Sequence, residues 1–303
     1  MSSGHYTIVG LGEIVWDLLP AGPQLGGAPA NFAYFANLLG DRSVVASRVG
    51  ADALGAETLR RLRQSGLTTR YVQTDDRRAT GTVLVRLDEQ GQPDFTISEN
   101  AAWDFLEFTP QWQELAGTAD AVCFGSLAQR SAASRETVRR FLSATRRDAL
   151  RVFDVNLRQS FHSASVLDES LSRSTAVKLN DQELPVVVER LGLAGVDEAA
   201  RARALLRAYH LELVCVTRGA HGSLLVTETE AVSHGGYAVT TADAVGAGDA
   251  FTAAMTHHYL RGARLATLSR AANRLGAWVA SQVGATPAIG PSILEQVITG
   301  AET

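Results

Sequence analysis

Apolar residues along this chain fall in short runs that end on small or polar residues, and helix-period stretches separate many of them. Tyr6 to Gly12 reads as a buried first strand. Glu13 to Pro20 continues extended, with Asp17 among apolar neighbours, as a turn residue or as a ligand for hydroxyl groups. Leu25-Gly-Gly-Ala-Pro-Ala-Asn31 then opens a helix. Pro29 suits a first helical position and Gly40 a helix stop, while Phe32, Phe35, Leu38 and Leu39 form one apolar stripe. Ser43 to Val49 is a further strand, and a helix over Glu57 to Gln64 ends at Gly66. Thr80 to Leu87 and Asp94 to Ser98 alternate about residues 88–93, which is a hairpin signal. The hairpin interrupts the helix-and-strand alternation, so it is expected to stand off the main sheet, as a lid, as a decorative hairpin or as a dimer edge.

Four apolar runs follow: Ala121 to Ser126, Val152 to Asn156, Ala176 to Asn180, and Leu213 to Thr217. Helical segments over Glu136 to Arg147, Gln182 to Arg190 and Glu198 to Tyr209 separate most of them. Such alternation predicts an α/β fold with a mostly parallel central sheet and right-handed crossovers. Ligands of such sheets bind at the C-terminal strand ends, where the polar residues of these runs fall. Ser223 to Thr227 reads as an antiparallel strand after a turn holding His221, and Ala271 to Gln282 as a final helix with Asn273 near its start.

The chemistry centres on Asp243-Ala-Val-Gly-Ala-Gly-Asp249-Ala-Phe251. Gly246, Ala247 and Gly248 precede Asp249 and a helix-like run that ends at Gly262. A flexible turn opening a helix leaves N–H groups that point one way and attract phosphate. A carboxylate in that place suits a base that takes the proton of a hydroxyl attacking phosphorus. Taken alone, the same residues are also an ordinary N-cap and turn. The stretch is not Walker A, because no Gly-Lys-Ser/Thr follows, and Gly10-Leu-Gly12 lacks the third glycine of the dinucleotide fingerprint.

Other positions carry two readings each. Asn31, in the first helical turn, is a cap or faces a ligand. Asn180 and Glu183 form a capping box stapled by Leu179 and Leu184, or they steer a hydrated Mg²⁺. Arg158 meets a phosphate or substrate oxyanion, or makes a surface ion pair with Asp154 or a neighbour.

Composition narrows the class. Hydrophobic content of 46% with 20% charged residues is that of a globular protein, and a formal net charge of −4 with no basic tract argues against nucleic acid as a partner. Cys123 and Cys215 lie inside apolar runs and read as buried thiols. No run is long enough for a membrane span, no signal peptide is evident at Met1 to Tyr6, and the cytoplasm is expected. His257 and His258 lack metal-ligand spacing, so no zinc site is expected.

Gly26-Gly-Ala-Pro-Ala-Asn31-Phe-Ala and Asp243 to Phe251 resemble the N-terminal di-glycine motif and C-terminal signature of the ribokinase-like (PfkB) carbohydrate kinases. Asp154-x-Asn156-x-Arg158, Asn180-x-x-Glu183 and Thr217-x-Gly219 fall between them in that family's order, so the resemblance spans essentially the whole chain. It implies a three-layer ribokinase-like sandwich with a small β lid. Residues 1–13, 32–78 and 105–303 would form the core, and 14–31 and 79–104 the lid.

The resemblance also implies roles. Asp249 would be the base, and the Gly246, Ala247 and Gly248 backbone the anion hole. Asp17, Gly27 and Asn31 would bind the sugar. Thr217, Gly219, Gly222 and Asn273 would line the ATP site with Asn180, while Glu183 would organise Mg²⁺. Asp243 would lie by a K⁺ site. Ala244 departs from the Thr usual after the first Asp. Gly12 to Pro20, Leu25 to Ala33, Glu99 to Asp104 and Asp154 to Arg158 are similar to bacterial fructokinases. Ribose, 2-keto-3-deoxygluconate and nucleosides are alternative substrates, with Arg158 serving the ketoacid carboxylate. A catalytically silent sugar-binding regulator is a further alternative. A homodimer through the lid is also expected.

Overall fold

A computed structural model describes residues 5–19, 22–87 and 93–301. The strands are β1 (Thr7–Leu11), β2 (Val15–Leu19), β3 (Gly22–Gly26), β4 (Arg42–Gly50), β5 (Val72–Asp75), β6 (Gly81–Leu87), β7 (Pro93–Ile97), β8 (Ala121–Gly125), β9 (Leu150–Asp154), β10 (Ala176–Asn180), β11 (Leu213–Thr217), β12 (Ser223–Val226) and β13 (Ala231–His234). The helices are α1 (Ala28–Leu38), α2 (Ala53–Gln64), α3 (Pro110–Thr118), α4 (Ala132–Ala144), α5 (Ala164–Ser172), α6 (Glu183–Arg190), α7 (Glu198–Ala208), α8 (Ala247–Leu260), α9 (Leu265–Ala280) and α10 (Pro291–Thr299).

Nine strands form one sheet in the order β13-β12-β11-β10-β9-β8-β1-β4-β5. Pairing is parallel from β5 to β11, and β12 and β13 close one edge antiparallel. Side chains alternate between faces along each strand. Val9, Val122, Phe124, Phe153, Val177 and Val214 therefore join the core that holds Trp112, Phe141, Leu167, Val187 and Leu205 of α3 to α7. Ile8, Cys123, Val152, Ala176, Leu213 and Cys215 join the opposite core, which holds Phe32, Phe251, Ala254 and Leu275 of α1, α8 and α9. This is the expected ribokinase-like sandwich: helices, sheet, helices.

The second sheet has four strands in the order β3-β2-β6-β7. The hairpin of β6 and β7 belongs to it, off the main sheet, with Val83 facing Ile97. Its turn at 88–92 lies outside the described residues. Trp16 anchors the sheet to α2 by donating from Nε1 to Thr58 Oγ1 at 2.8 Å.

Several boundaries differ from expectation. Helix α2 begins four residues early, because Asp52 caps it by accepting from Gly55 N. Helix α4 is shifted toward its N-terminus, spanning Ala132–Ala144. Helix α9 begins at Leu265, so Asn273 lies mid-helix, and α10 follows. Both cysteines are buried, unbonded thiols. Among the described residues no helix is long and apolar enough to cross a membrane.

Candidate active site

Gly246 stands at the N-terminus of α8 with φ of 79°, in the left-handed region. Glycine is required there twice over: the φ is unfavourable for other residues, and a Cβ would lie 2.2 Å from the Ala285 carbonyl oxygen. The turn aims the first N–H groups of a 14-residue helix outward, and these have no intrahelical acceptors. They differ from the expected trio in one respect. Ala247 N–H closes a long 3.3 Å turn bond onto the Ala244 carbonyl.

Asp249 sits in the first turn of α8, half-buried as a residue. Asn31 Nδ2 donates to its Oδ2 at 2.8 Å, joining α1 to α8. Burial of the carboxyl and the nearby Asp154 push its pKa up to about 7, against the Asn31 bond and the Lys178 and Arg158 cations. The group is thus poised to accept a proton near neutral pH.

The di-glycine turn shapes the neighbouring wall. Gly26 leaves room for Asp17, whose Oδ2 would lie 2.9 Å from a Cβ there. Gly27 caps α1 with φ of 111°, and a Cβ on it would meet the Glu13 carbonyl at 2.6 Å. Burial raises the pKa of Asp17, and Arg158 opposes that rise. Glu13 is buried, its Oε2 has no hydrogen-bond partner, and burial lifts its pKa to about 7. Glu13 was not singled out in the sequence; an acidic residue inside an apolar stretch was the available signal.

Arg158 does not pair with Asp154, contrary to one expectation. It is exposed, and Asp154 instead holds Lys178, whose Nζ lies 3.0 Å from Oδ1. The alternation along β9 turns Asp154 under α8, whereas Arg158 lies beyond the strand end. Arg158 acts at longer range on Glu13, Asp17 and Asp249.

Asn180 and Glu183 form the capping box. Asn180 Oδ1 accepts from Gln182 N and Glu183 N, at 3.0 and 2.8 Å. Glu183 Oε2 accepts from Asn180 N and its Oε1 from Leu157 N, both at 2.8 Å. Both carboxylate oxygens are thus engaged by backbone, which leaves their outer lone pairs for water. That fits a role toward a hydrated cation and not a direct ligand.

Thr217 ends β11, and the turn after it is closed by Arg218 N donating to the Gly222 carbonyl at 2.8 Å. Gly219 is exposed on that turn and Gly222 is buried. Asn273 does not face outward. Its Nδ2 donates to Ser223 Oγ at 2.8 Å and to the Ser269 carbonyl at 2.7 Å, bracing α9 against β12. Asp243 accepts from Val245 N at 3.0 Å and Gly284 N at 3.1 Å, stitching two loops beside the glycine turn.

Comparison with known proteins gives the family and the fold. The family model of pfkB carbohydrate kinases matches residues 23–290. Fructokinase of Escherichia coli is 33% identical over 260 residues, covering 81% of each chain. A sugar kinase from Pyrococcus horikoshii in complex with ATP superposes with a TM-score of 0.79 at 28% identity, covering 93% of this chain and 94% of that one. Fructokinase from Vibrio cholerae, in a fructose, ADP and calcium ion bound form, gives 0.82 at 25% identity, covering 98% and 100%. The ordered motifs, the two-sheet fold and these matches converge: the chain belongs to the PfkB family of carbohydrate kinases.

Proposed function

We propose that this kinase transfers the γ-phosphoryl group of ATP to a hydroxyl of fructose. The observation that carries the reading is Asp249 itself: a carboxylate with its pKa at about 7, held by Asn31, in the first turn of a helix that opens on a glycine turn. Asp249 takes the hydroxyl proton, the sugar oxygen attacks the γ-phosphorus, and ADP leaves. Phosphoryl transfer needs positioning and charge stabilisation above covalent chemistry. The N–H groups of Gly246 and Gly248 hold the transferring charge, and Ala247 exchanges its long bond to Ala244 for a phosphoryl oxygen. Fructose is favoured by the fructokinases among the relatives.

Asp17, Gly27 and Asn31 take the sugar hydroxyls. The nucleotide lies along Asn180, Thr217 and Gly219, with Gly222 and Asn273 shaping that wall from behind. Glu183 orders a hydrated Mg²⁺, which supplies charge neutralisation at the phosphates when bound. The loop stitched by Asp243 is the place for K⁺. Residues 14–31 and 79–104 act as the lid over a core of 1–13, 32–78 and 105–303. A second copy pairs along the lid edge, and the protein works in the cytoplasm.

One observation favours a second substrate. Arg158 is exposed and its charge reaches Asp17, Glu13 and Asp249, which suits a carboxylate such as that of 2-keto-3-deoxygluconate. The test is ADP release from ATP and Mg²⁺ with fructose, ribose, glucose, 2-keto-3-deoxygluconate and a nucleoside, with Asp249→Asn as control. Turnover on fructose that the variant loses supports the reading. Turnover on another member alone overturns fructose and keeps the chemistry. Binding of ATP and sugar without turnover overturns the enzyme in favour of a sugar-binding regulator.

A further inference from the structure

Lys178 and Asp154 face each other across neighbouring parallel strands, β10 and β9. Period-two alternation puts both on the sheet face that Ala176 and Val152 line, under α8. Both are buried, at 8% and 4% exposure. Lys178 Nζ lies 3.0 and 3.3 Å from the two Asp154 oxygens. Thr252 Oγ1, on α8, lies 3.0 Å from Asp154 Oδ2 and 2.9 Å from the Gly248 carbonyl, so its one proton is shared between them. A Cβ on Gly248 would lie 3.1 Å from Nζ. The pair is therefore built against the underside of the glycine turn.

Stability alone does not account for such a pair. A buried ion pair is often no more stabilising than apolar residues of equal volume. The surroundings suggest another task. Asp249 is faced by Asn31 from α1, Glu13 from the chain after β1, Asp154 from β9, Arg158 beyond β9, and Lys178 from β10. Lys178 is in turn faced by Asp154, Glu183 and Asp249, with the Cys123 and Cys215 thiols beside it. Of the two cations in this set Arg158 is exposed to solvent and screened, while Lys178 is buried.

We propose that Lys178, held by Asp154, is a positioning residue for phosphoryl transfer: its buried ammonium group anchors the first turn of α8 from below and offsets the carboxylates there, so that Asp249 works as a base. The inference rests on the reading of Asp249 given above. The ammonium group touches neither sugar nor nucleotide; it acts through the turn and its field.

The experiment is the pH dependence of kcat/KM for the best sugar of the panel, in wild type, Lys178→Met, Asp154→Asn, the double variant and Asp249→Asn. Loss of the cation moves the acid limb of Lys178→Met up by about one pH unit, with kcat at pH 7 about tenfold or more below wild type. KM for the sugar stays within a few-fold. Asp154→Asn moves the limb down, because the opposing charge is gone. A merely structural pair lowers activity without moving the limb, or moves both variants the same way, and either result overturns the proposal. If Lys178→Met does not fold, the double variant is compared with Asp154→Asn. The double variant's limb lies higher than that of Asp154→Asn, and equal limbs overturn the proposal. Full activity in Asp249→Asn overturns the base reading itself, whereas loss there with an unmoved limb in Lys178→Met removes only Lys178.

Discussion

Asn31 and Asp249 stand 218 residues apart in the chain and are joined by one 2.8 Å hydrogen bond, from the first turn of α1 to the first turn of α8. Each residue stands just after one of the two glycine-rich turns, so this bond fixes the di-glycine turn before α1 against the glycine turn that opens α8. It also supports the ionised carboxylate, since the amide donates and the carboxylate accepts. Asn31→Ala removes that support. The expected result is a fall of about tenfold or more in kcat/KM, with the acid limb of the profile displaced to higher pH. Steady-state kinetics from pH 5.5 to 9 check both parts. A fall with an unmoved limb would mean that Asn31 only binds substrate.

The wild-type profile follows from the same carboxyl. A base must be unprotonated to act, and the Asp249 pKa is raised to about 7 by burial first and by Asp154 second. The value of kcat/KM should therefore rise tenfold per unit below about pH 7 and level off above it. Glu13, also raised to about 7, faces Asp249, so the limb reports the pair and not one residue. Activity independent of pH between 5.5 and 8 would refute an enclosed carboxylate base.

Stability carries the opposite sign. In the unfolded chain the carboxyl of Asp249 titrates near 3.8, and in the folded chain near 7. Between those values the folded state binds a proton that the unfolded state releases, so stability falls as pH rises through the interval. Above about pH 7 the wild type bears the whole cost of a buried charge, and Asp249→Asn bears none. Asp249→Asn should melt about 2–5 °C above wild type at pH 8, and by less at pH 5. Calorimetry at the two pH values decides it; equal melting at pH 8 would show that the charge costs nothing in place.

These residues were legible in different degrees, for physical reasons. Asp249, Gly246 and Asn31 could be read because glycine turns that open helices leave a local signature. The capping box of Asn180 and Glu183 is local too, and both oxygens fall where the spacing puts them. Lys178 was not legible. It is one polar residue inside an apolar strand, and its partner is 24 residues away on the next strand, so only lateral register joins them. The same blindness made Asp154 one candidate partner for Arg158, since nearness in sequence hides the strand end between them. Asn273 was misplaced because α9 starts after Arg264 without a side-chain cap, leaving no start signal. Strand β3 went unseen because a five-residue stretch bounded by glycines has no apolar alternation.

Glu183 joins two loops. Its carboxylate accepts from Leu157 N, after β9, and from Asn180 N, at the end of β10. Glu183→Ala leaves both N–H groups without acceptors, which should cost about 2–5 kcal/mol in denaturant unfolding. Because Leu157 neighbours Arg158, the loss should disturb the loop that carries Arg158 as well as the end of β10. Glu183→Gln keeps one acceptor and should cost less than half as much. If the two variants proved equally stable, the carboxylate would not be holding these loops, and its role toward a cation would have to stand alone.

Arg158 separates the two substrates proposed for this site. A neutral ketose needs no fixed cation, so Arg158→Ala should leave kcat/KM for fructose within about fivefold of wild type. The side chain is exposed, and its field on Asp249 is the weakest named influence there. A sugar acid would lose a charge-assisted bond, worth about 1.5–3 kcal/mol, and KM should rise ten- to a hundredfold with kcat little changed. Arg158→Lys discriminates further, because an ammonium group restores charge but not the two-pronged grip of a guanidinium on a carboxylate. Partial rescue of a sugar acid by Lys, with fructose indifferent throughout, would assign Arg158 to carboxylate recognition. A large loss on fructose in Arg158→Ala would instead place the guanidinium against the phosphates, and the sugar would then owe its selection to Asp17, Gly27 and Asn31 alone.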